Sequence, residues 1–421
     1  MIKATRTQWI KFAVVLALYL IFLVWLRSWL GLVVVPFIFD AYITKKIPWT
    51  WWRKSKNRHV VTVMGWVDAI VFALVAVYFV NLYFFQNYVI PSSSLEKSLL
   101  TGDYLFVSKM SYGPRVPQTP LHMPLAQHTL PFFNCKSYLE HPQWDYKRVK
   151  GLGDVQLNDI VVFNFPAGDT VATGVPNDDV YRLSYGAGKE LAKPVDLASM
   201  SPEQQRVVYD YYYQLGREYL KENPQNFGEI ISRPVDRREN YVKRCVGLPG
   251  QTLEIKDRII YLDGKANKEP DNVQYRYLVK TKRPIPDDLA HELGISKEDM
   301  MMYYTDASVY NMPLTEKAKA GLLARKDIVV SIENTPADDA GGLYPLNMYK
   351  NWTTDNYGPV WIPKKGETVK LTLENLPVYE RPIHAYEGNE LAVKDGKIYI
   401  NGKETDEYTF RSEERRVGKE C

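Results

Sequence analysis

Four serines, Ser92, Ser93, Ser94 and Ser98, stand directly after an apolar stretch that runs from Trp66 to Ile90 with Asp68, Gln86 and Asn87 near its ends. A serine hydroxyl is a poor nucleophile at neutral pH and attacks a carbonyl only with a base at hand. The histidines give little support for that base. His59 falls in the basic N-terminal part, while His122, His128, His141, His291 and His384 lie in proline-rich or charged loops without triad spacing, so each reads as a surface histidine. Gly-x-Ser-x-Gly, His-Glu-x-x-His and a phosphate-binding glycine loop are also absent from the sequence. A lysine can replace histidine if it is neutral, and burial in apolar surroundings favours the neutral amine. Lys243 is the best candidate: in the alternating run 241–246 it shares a face with Tyr241 and Cys245. Spacing alone favours an ordinary exposed strand lysine.

The elements that would position these groups begin with the membrane end. The stretch 66–90 is long enough to cross a bilayer, and the hydroxyl cluster beyond it suggests chemistry on something that is itself in the membrane. Earlier, Phe12 to Leu26 is uninterrupted apolar sequence, broken by Arg27-Ser28 and resumed from Trp29 to Phe39. Its length and the lack of a small-residue cleavage site argue against a cleavable signal peptide. It forms either one long span or a hairpin, and the basic N-terminus favours the hairpin. Lys45, Lys46, Arg53, Lys54, Lys56 and Arg58, interleaved with Trp49, Trp51 and Trp52, mark 44–60 as a cytoplasmic loop under the positive-inside rule. Everything after Pro91 is then extracytoplasmic.

Charge sharpens that division. Of 53 Lys and Arg, ten lie in residues 1–60 against one acid, Asp40, so the remainder of the chain is net acidic. This gives no support for nucleic-acid binding, which needs a basic face on the folded domain. Three cysteines, Cys135, Cys245 and Cys421, are too few and too scattered for a disulfide framework or a thiolate zinc site.

Beyond the serines the chain reads mainly as strand and turn. Residues 104–109 alternate with period two, 117–150 are loop-like, and 159–166 form a buried-strand candidate ended by Pro166. Insertions are expected at about 167–240 and 266–390. Residues 202–223 of the first make the strongest soluble helix, with proline in its first turn. Helices near 287–299 and 315–325 are expected in the second. The stretch 256–265 is echoed by 394–403; both read as antiparallel pairs closed by Asp-Gly or Asn-Gly.

The ordered motifs resemble those of type I signal peptidases, membrane-bound Ser/Lys proteases that remove signal peptides from exported proteins. The first box is Pro91-Ser92-Ser93-Ser94-Leu95-Glu96-Lys97-Ser98-Leu99 followed by Gly102-Asp103, continued by Lys109-Met110-Ser111-Tyr112-Gly113. The second is Asn158-Asp159-Ile160-Val161-Val162-Phe163, and the third is Lys243-Arg244-Cys245-Val246-Gly247-Leu248-Pro249-Gly250. The resemblance implies Ser94 as nucleophile, Lys243 as general base and Ser92 as an oxyanion donor, with no metal or organic cofactor. It also implies a membrane-anchored, mainly β fold, with an antiparallel-sheet catalytic domain of the signal-peptidase type and peripheral helical insertions. The organisation is then an anchor at 1–90 and an extracytoplasmic catalytic region at 91–410, on a bacterial cytoplasmic membrane. Implied partners are signal-peptide-bearing precursors and membrane lipid, with the secretion machinery a further candidate.

The sequence departs from the family at Leu95 for methionine, Lys97 for proline and Ser98 for threonine. The late Gly-Asp-Asn-Arg box, with its Ser-x-Asp-Ser-Arg continuation, is not found after Phe410. In its place 411–421 has no strand pattern and is expected to be a foreign tail, which would put the activity of this chain in question. Two other readings therefore stand beside the peptidase: an inactive or specialised paralogue, and a membrane-tethered binding module.

Overall fold

The computed structural model describes residues 4–130, 132–133, 135–176, 178–300, 308–337, 343–347 and 352–411. The foreign-tail expectation falls, beyond Arg411, outside the described residues. The chain forms two compact units. One comprises Met1–Val89, Tyr104–Val155 and Pro234–Arg237; the other comprises Ile90–Asp103, Gln156–Arg233 and Arg238–Cys421.

Helix Arg6–Leu26 opens the first unit with a capping box, in which Thr5 and Gln8 satisfy each other's backbone N–H, and it stops where Arg27 turns left-handed at φ 50°. A second helix, Arg58–Tyr83, is capped by Asn57. Both are apolar and long enough to cross a membrane. Between them 30–44 folds back along the first helix. Tyr19 Oη donates to Gly31 O at 2.7 Å, and Phe39 packs edge-on against Phe12, which lays the return antiparallel along the helix. A Cβ on Gly31 would stand 2.2 Å from Leu23 Cδ2, so a larger residue at this crossing would have to displace the Leu23 side chain. The hairpin geometry favoured for 12–39 is therefore present. Its returning limb, at about 1.5–2 Å per residue, is shorter than a bilayer core.

The helix expected to continue to Ile90 ends at Tyr83. Phe85–Val89 is a strand paired antiparallel with Tyr104–Ser108, in register from Phe85↔Ser108 to Val89↔Tyr104. Gln86 and Asn87 interrupt the apolar run, and the alternating partner captures their backbone groups.

In the larger unit Ile160–Asn164 pairs antiparallel with Asn240–Arg244. A four-stranded sheet orders Lys265–Ala266, Ile259–Leu262, Thr252–Lys256 and Tyr357–Trp361. The stretch expected as the second insertion contains a three-stranded sheet, with Gln274–Thr281 between Val309–Thr315 and Val329–Asn334. Its core includes Val279, Met312, Leu314, Leu322 and Ile328. Near the C-terminal end, Leu391–Lys394, Lys397–Ile400 and Lys403–Glu404 repeat the meander of 252–266. Asp263-Gly264 and Asn401-Gly402 all have positive φ at the corresponding turns.

The stretch expected as the first insertion carries a helical pair, Val180–Leu191 against Pro202–Glu222. Gly188 and Gly216 face each other so closely that a Cβ on either would meet a backbone oxygen of the other helix at 1.7 Å. This pair and the two long apolar helices change the balance of the fold. The mainly β expectation becomes a mixed α/β fold with several short antiparallel sheets, in which helical residues outnumber strand residues.

Candidate active site

The serine segment is a small loop of the larger unit, closed by its own ends. Ile90 N donates to Asp103 O at 3.0 Å and Gly102 N to Ile90 O at 2.9 Å, while Asp103 Oδ2 accepts from Leu100 N at 2.8 Å. Ser93–Leu95 forms a single 3-10 turn. Ser92 precedes it in extended backbone and makes no side-chain cap to the turn, so its hydroxyl is not committed there.

Lys243 lies on strand Asn240–Arg244 opposite Val161. Its Nζ donates to Ser94 Oγ at 2.6 Å, joining side chains 149 residues apart. The sequence suggested burial as the means of keeping this amine neutral. The protein itself leaves Lys243 exposed, although partial desolvation still lowers its pKa from the ordinary lysine value. Direct contact with a hydroxyl, rather than deep burial, distinguishes this lysine.

The neighbouring arginine joins all three sequence boxes. Arg244 donates from Nη2 to Ser98 Oγ at 2.9 Å and from Nη1 to Asn158 O at 2.8 Å. Asn158 holds a left-handed turn, φ 69°, and its N–H donates to Cys245 O at 2.7 Å; Cys245 N returns a bond to Asp159 O at 2.8 Å. Phe165 stacks on Tyr241 with ring centroids 4.4 Å apart, bracing the other end of the strand pair. Lysine and arginine thus grip the serine loop at two points. The Lys-Arg adjacency was the signal for this role of Arg244 and Ser98, but sequence reasoning weighed the lysine alone.

Lys97 has φ 68°, a region closed to proline, whose ring fixes φ near −65°. Its replacement of the family's proline therefore goes with a different local backbone, beyond the loss of a restraint. Another correction concerns the histidines. His122 and His128 are half-buried, and His122 packs on Tyr78 at 4.9 Å, where burial lowers its pKa. Among the described residues no group of three His, Cys, Asp or Glu could hold a metal ion.

A family model described as signal peptidase, peptidase S26, matches residues 63–299, more than half of the chain. Signal peptidase I of Helicobacter pylori strain 26695 is 42% identical over 56 residues, 13% of this chain and 18% of that protein. Signal peptidase I P of Bacillus subtilis subsp. natto is 27% identical over 103 residues, 24% of this chain and 52% of that protein. Signal peptidase I of Rickettsia prowazekii is 25% identical over 165 residues, 36% of this chain and 56% of that protein. The chain thus spans between about a fifth and just over half the length of these relatives. No solved structure matches.

Proposed function

The chain belongs to the S26 signal peptidase family, and from that premise we propose that it is a membrane-held endopeptidase that removes N-terminal signal peptides from exported precursors. The observation that carries the reading is the 2.6 Å contact of Lys243 Nζ with Ser94 Oγ. In the reacting form Lys243 is neutral and the same contact runs in reverse, with Ser94 donating to the amine.

Ser94 Oγ attacks the carbonyl carbon of the scissile peptide bond as its proton passes to Lys243 Nζ. A positioned base of this kind is worth about 10²- to 10⁴-fold in rate. Negative charge collects on the former carbonyl oxygen, where the Ser92 hydroxyl and the Ser94 backbone N–H serve as donors, each worth roughly 3 kcal/mol. The lysine ammonium then protonates the leaving nitrogen, the C–N bond breaks, and the mature protein departs with a new N-terminus. Water, deprotonated by Lys243, attacks the Ser94 ester; collapse releases the signal peptide as a carboxylate and restores the serine hydroxyl. Arg244 acts through Ser98 and Asn158 to hold the loop and the lysine strand together.

An extended precursor segment lying over Ser94 excludes water from the exposed amine and favours its neutral form further. The proposed topology puts the basic loop 44–60 in the cytoplasm and Ser94 outside, with 6–26 and 58–83 as membrane helices. The test is precursor cleavage by the full chain reconstituted in lipid. Ser94→Ala and Lys243→Ala should each abolish processing; retained cleavage in either variant overturns the proposal.

A further inference from the structure

The excursion 117–146 takes no part in the proposed chemistry. Within the first unit it extends from the paired Arg115–Val116 and Lys147–Arg148 as a ribbon. Trp144 N donates to Gln118 O at 2.8 Å, Leu139 N to Leu121 O at 2.9 Å, Met123 N to Ser137 O at 2.8 Å and Leu130 N to Cys135 O at 2.9 Å. Its interior is pinned by Arg237, which donates to Thr119 Oγ1 at 2.7 Å and lies over the Tyr138 ring. The ribbon is therefore a built arm.

Its surface is unusual for this chain. Residues 116–135 contain no Asp, Glu, Lys or Arg, although charged residues make up 24% of the whole. Leu121, Met123, Leu125 and Leu139 are exposed, and Phe132 and Phe133 are 103% and 77% exposed. The root is basic instead: Arg115, Lys147 and Arg148 flank the arm.

The position of the arm selects its partner. The root meets the ends of both apolar helices, since Lys147 Nζ donates to Arg27 O at 2.7 Å and Val116 packs into the cluster containing Leu26 and Tyr83. A few residues further along, Tyr78 Oη donates to Pro120 O at 3.0 Å and the Tyr78 ring packs on His122. Tyr78 lies five residues back along the helix from Tyr83, about 7 Å nearer its middle. The arm therefore runs along the membrane helix from a basic root into an outgoing limb that is uncharged and apolar, while its returning limb carries the mutually paired Lys136 and Glu140. Those two features match a segment that enters the headgroup and upper acyl region, about 5–10 Å deep, with cations left at lipid phosphate level.

We propose that the 117–146 arm is a lipid-inserted anchor, whose exposed leucine, methionine and phenylalanine side chains enter the outer leaflet beside helix Arg58–Tyr83. The proposal rests on that helix spanning the bilayer and is independent of any hydrolysis at Ser94.

Cys135 is exposed and provides a reporter. With Cys245→Ser and Cys421→Ser it becomes the sole thiol of the full chain. It would be labelled with an environment-sensitive dye, and the protein placed in nanodiscs of ordinary or brominated phosphatidylcholine. Insertion predicts blue-shifted emission that brominated lipid reduces by about half while aqueous iodide has little effect. Leu125→Asp/Phe132→Asp/Phe133→Asp should restore iodide access and remove lipid quenching. Water-like emission quenched only by iodide in the parent overturns the proposal. So does blue-shifted emission that neither agent quenches, which would mean that protein, such as a second copy, covers the arm. Quenching needs no turnover, so failure here leaves the peptidase reading to its own test.

Discussion

Two lysines in different units have amines that lose their protons more readily than ordinary lysine, and only one touches a hydroxyl. Lys109 is half-buried, and desolvation together with the nearby Arg115 and Arg148 pushes its pKa down to about 8. Among the described residues no hydrogen bond reaches its amine. Lys243 is exposed and lowered by partial desolvation, yet its Nζ lies 2.6 Å from Ser94 Oγ. Loss of the proton is necessary for a lysine base, but the contact decides which lysine can use it. Lys109 shows the cost of desolvating an amine beside other cations; Lys243 shows a geometry suited to proton transfer.

The largest expected effect separates the two directly. Lys243→Ala should lower kcat for precursor cleavage by about 10²- to 10⁴-fold, while Lys109→Ala should leave it within about threefold in the same reconstituted assay. Equal losses would remove the distinction. The loop that presents Ser94 gives the next effect. Lys97→Pro forces proline onto a left-handed residue and should destabilise the loop by about 3 kcal/mol or more, whereas Lys97→Gly should be neutral or stabilising by about 1 kcal/mol. Thermal unfolding alongside cleavage would read both.

Arg244→Ala removes two bonds from the guanidinium and Ser98→Ala removes one, at about 1.5–3 kcal/mol for a bond to a charged group. Positioning predicts a fall in kcat with little change in KM, larger for Arg244→Ala, and partial rescue by Ser98→Thr when compared with Ser98→Ala. A change confined to KM would instead place Arg244 in substrate binding.

The smallest effect belongs to Lys109. A lysine with its pKa lowered on folding binds fewer protons in the native than in the unfolded state between about pH 8 and the ordinary value of 10.5. Stability gained with rising pH in that window reflects relief of a cost that is fully present below pH 8. Lys109→Met should therefore stabilise the protein at pH 7 by of order 1 kcal/mol, after allowance for partial exposure. Denaturant unfolding of both proteins at pH 7 and pH 10 should show the advantage shrinking at the higher pH.

Local patterns in the sequence carried some elements well. The proline in its first turn announced helix Pro202–Glu222, and the paired Asp-Gly and Asn-Gly turns announced the two meanders. Long-range pairing was much less visible. Whether 84–90 would extend a helix or form a strand was decided by 104–108, and periodicity within the apolar run could not report it. Ser94 and Lys243 became partners through resemblance of whole boxes, because spacing cannot join residues 149 apart. Burial was misjudged where a strand edge stays open, as at Lys243, and where a loop packs on a membrane helix, as at His122. The mixed fold reflects the same limit: apolar helices and the helical insertion were legible individually, while their weight against many short strands emerged only from the assembled chain.

The decisive observation is acylation of Ser94 itself. The reconstituted full chain would be mixed with an ester analogue of a precursor segment, quenched in acid and read by intact mass and peptide mapping across a pH series. The Ser94–Lys243 account predicts an acyl adduct on Ser94, with formation rising through a pKa below the ordinary lysine value, lost in Lys243→Ala and retained in Lys109→Ala. An adduct that forms undiminished in Lys243→Ala, or that maps to another residue, would contradict it.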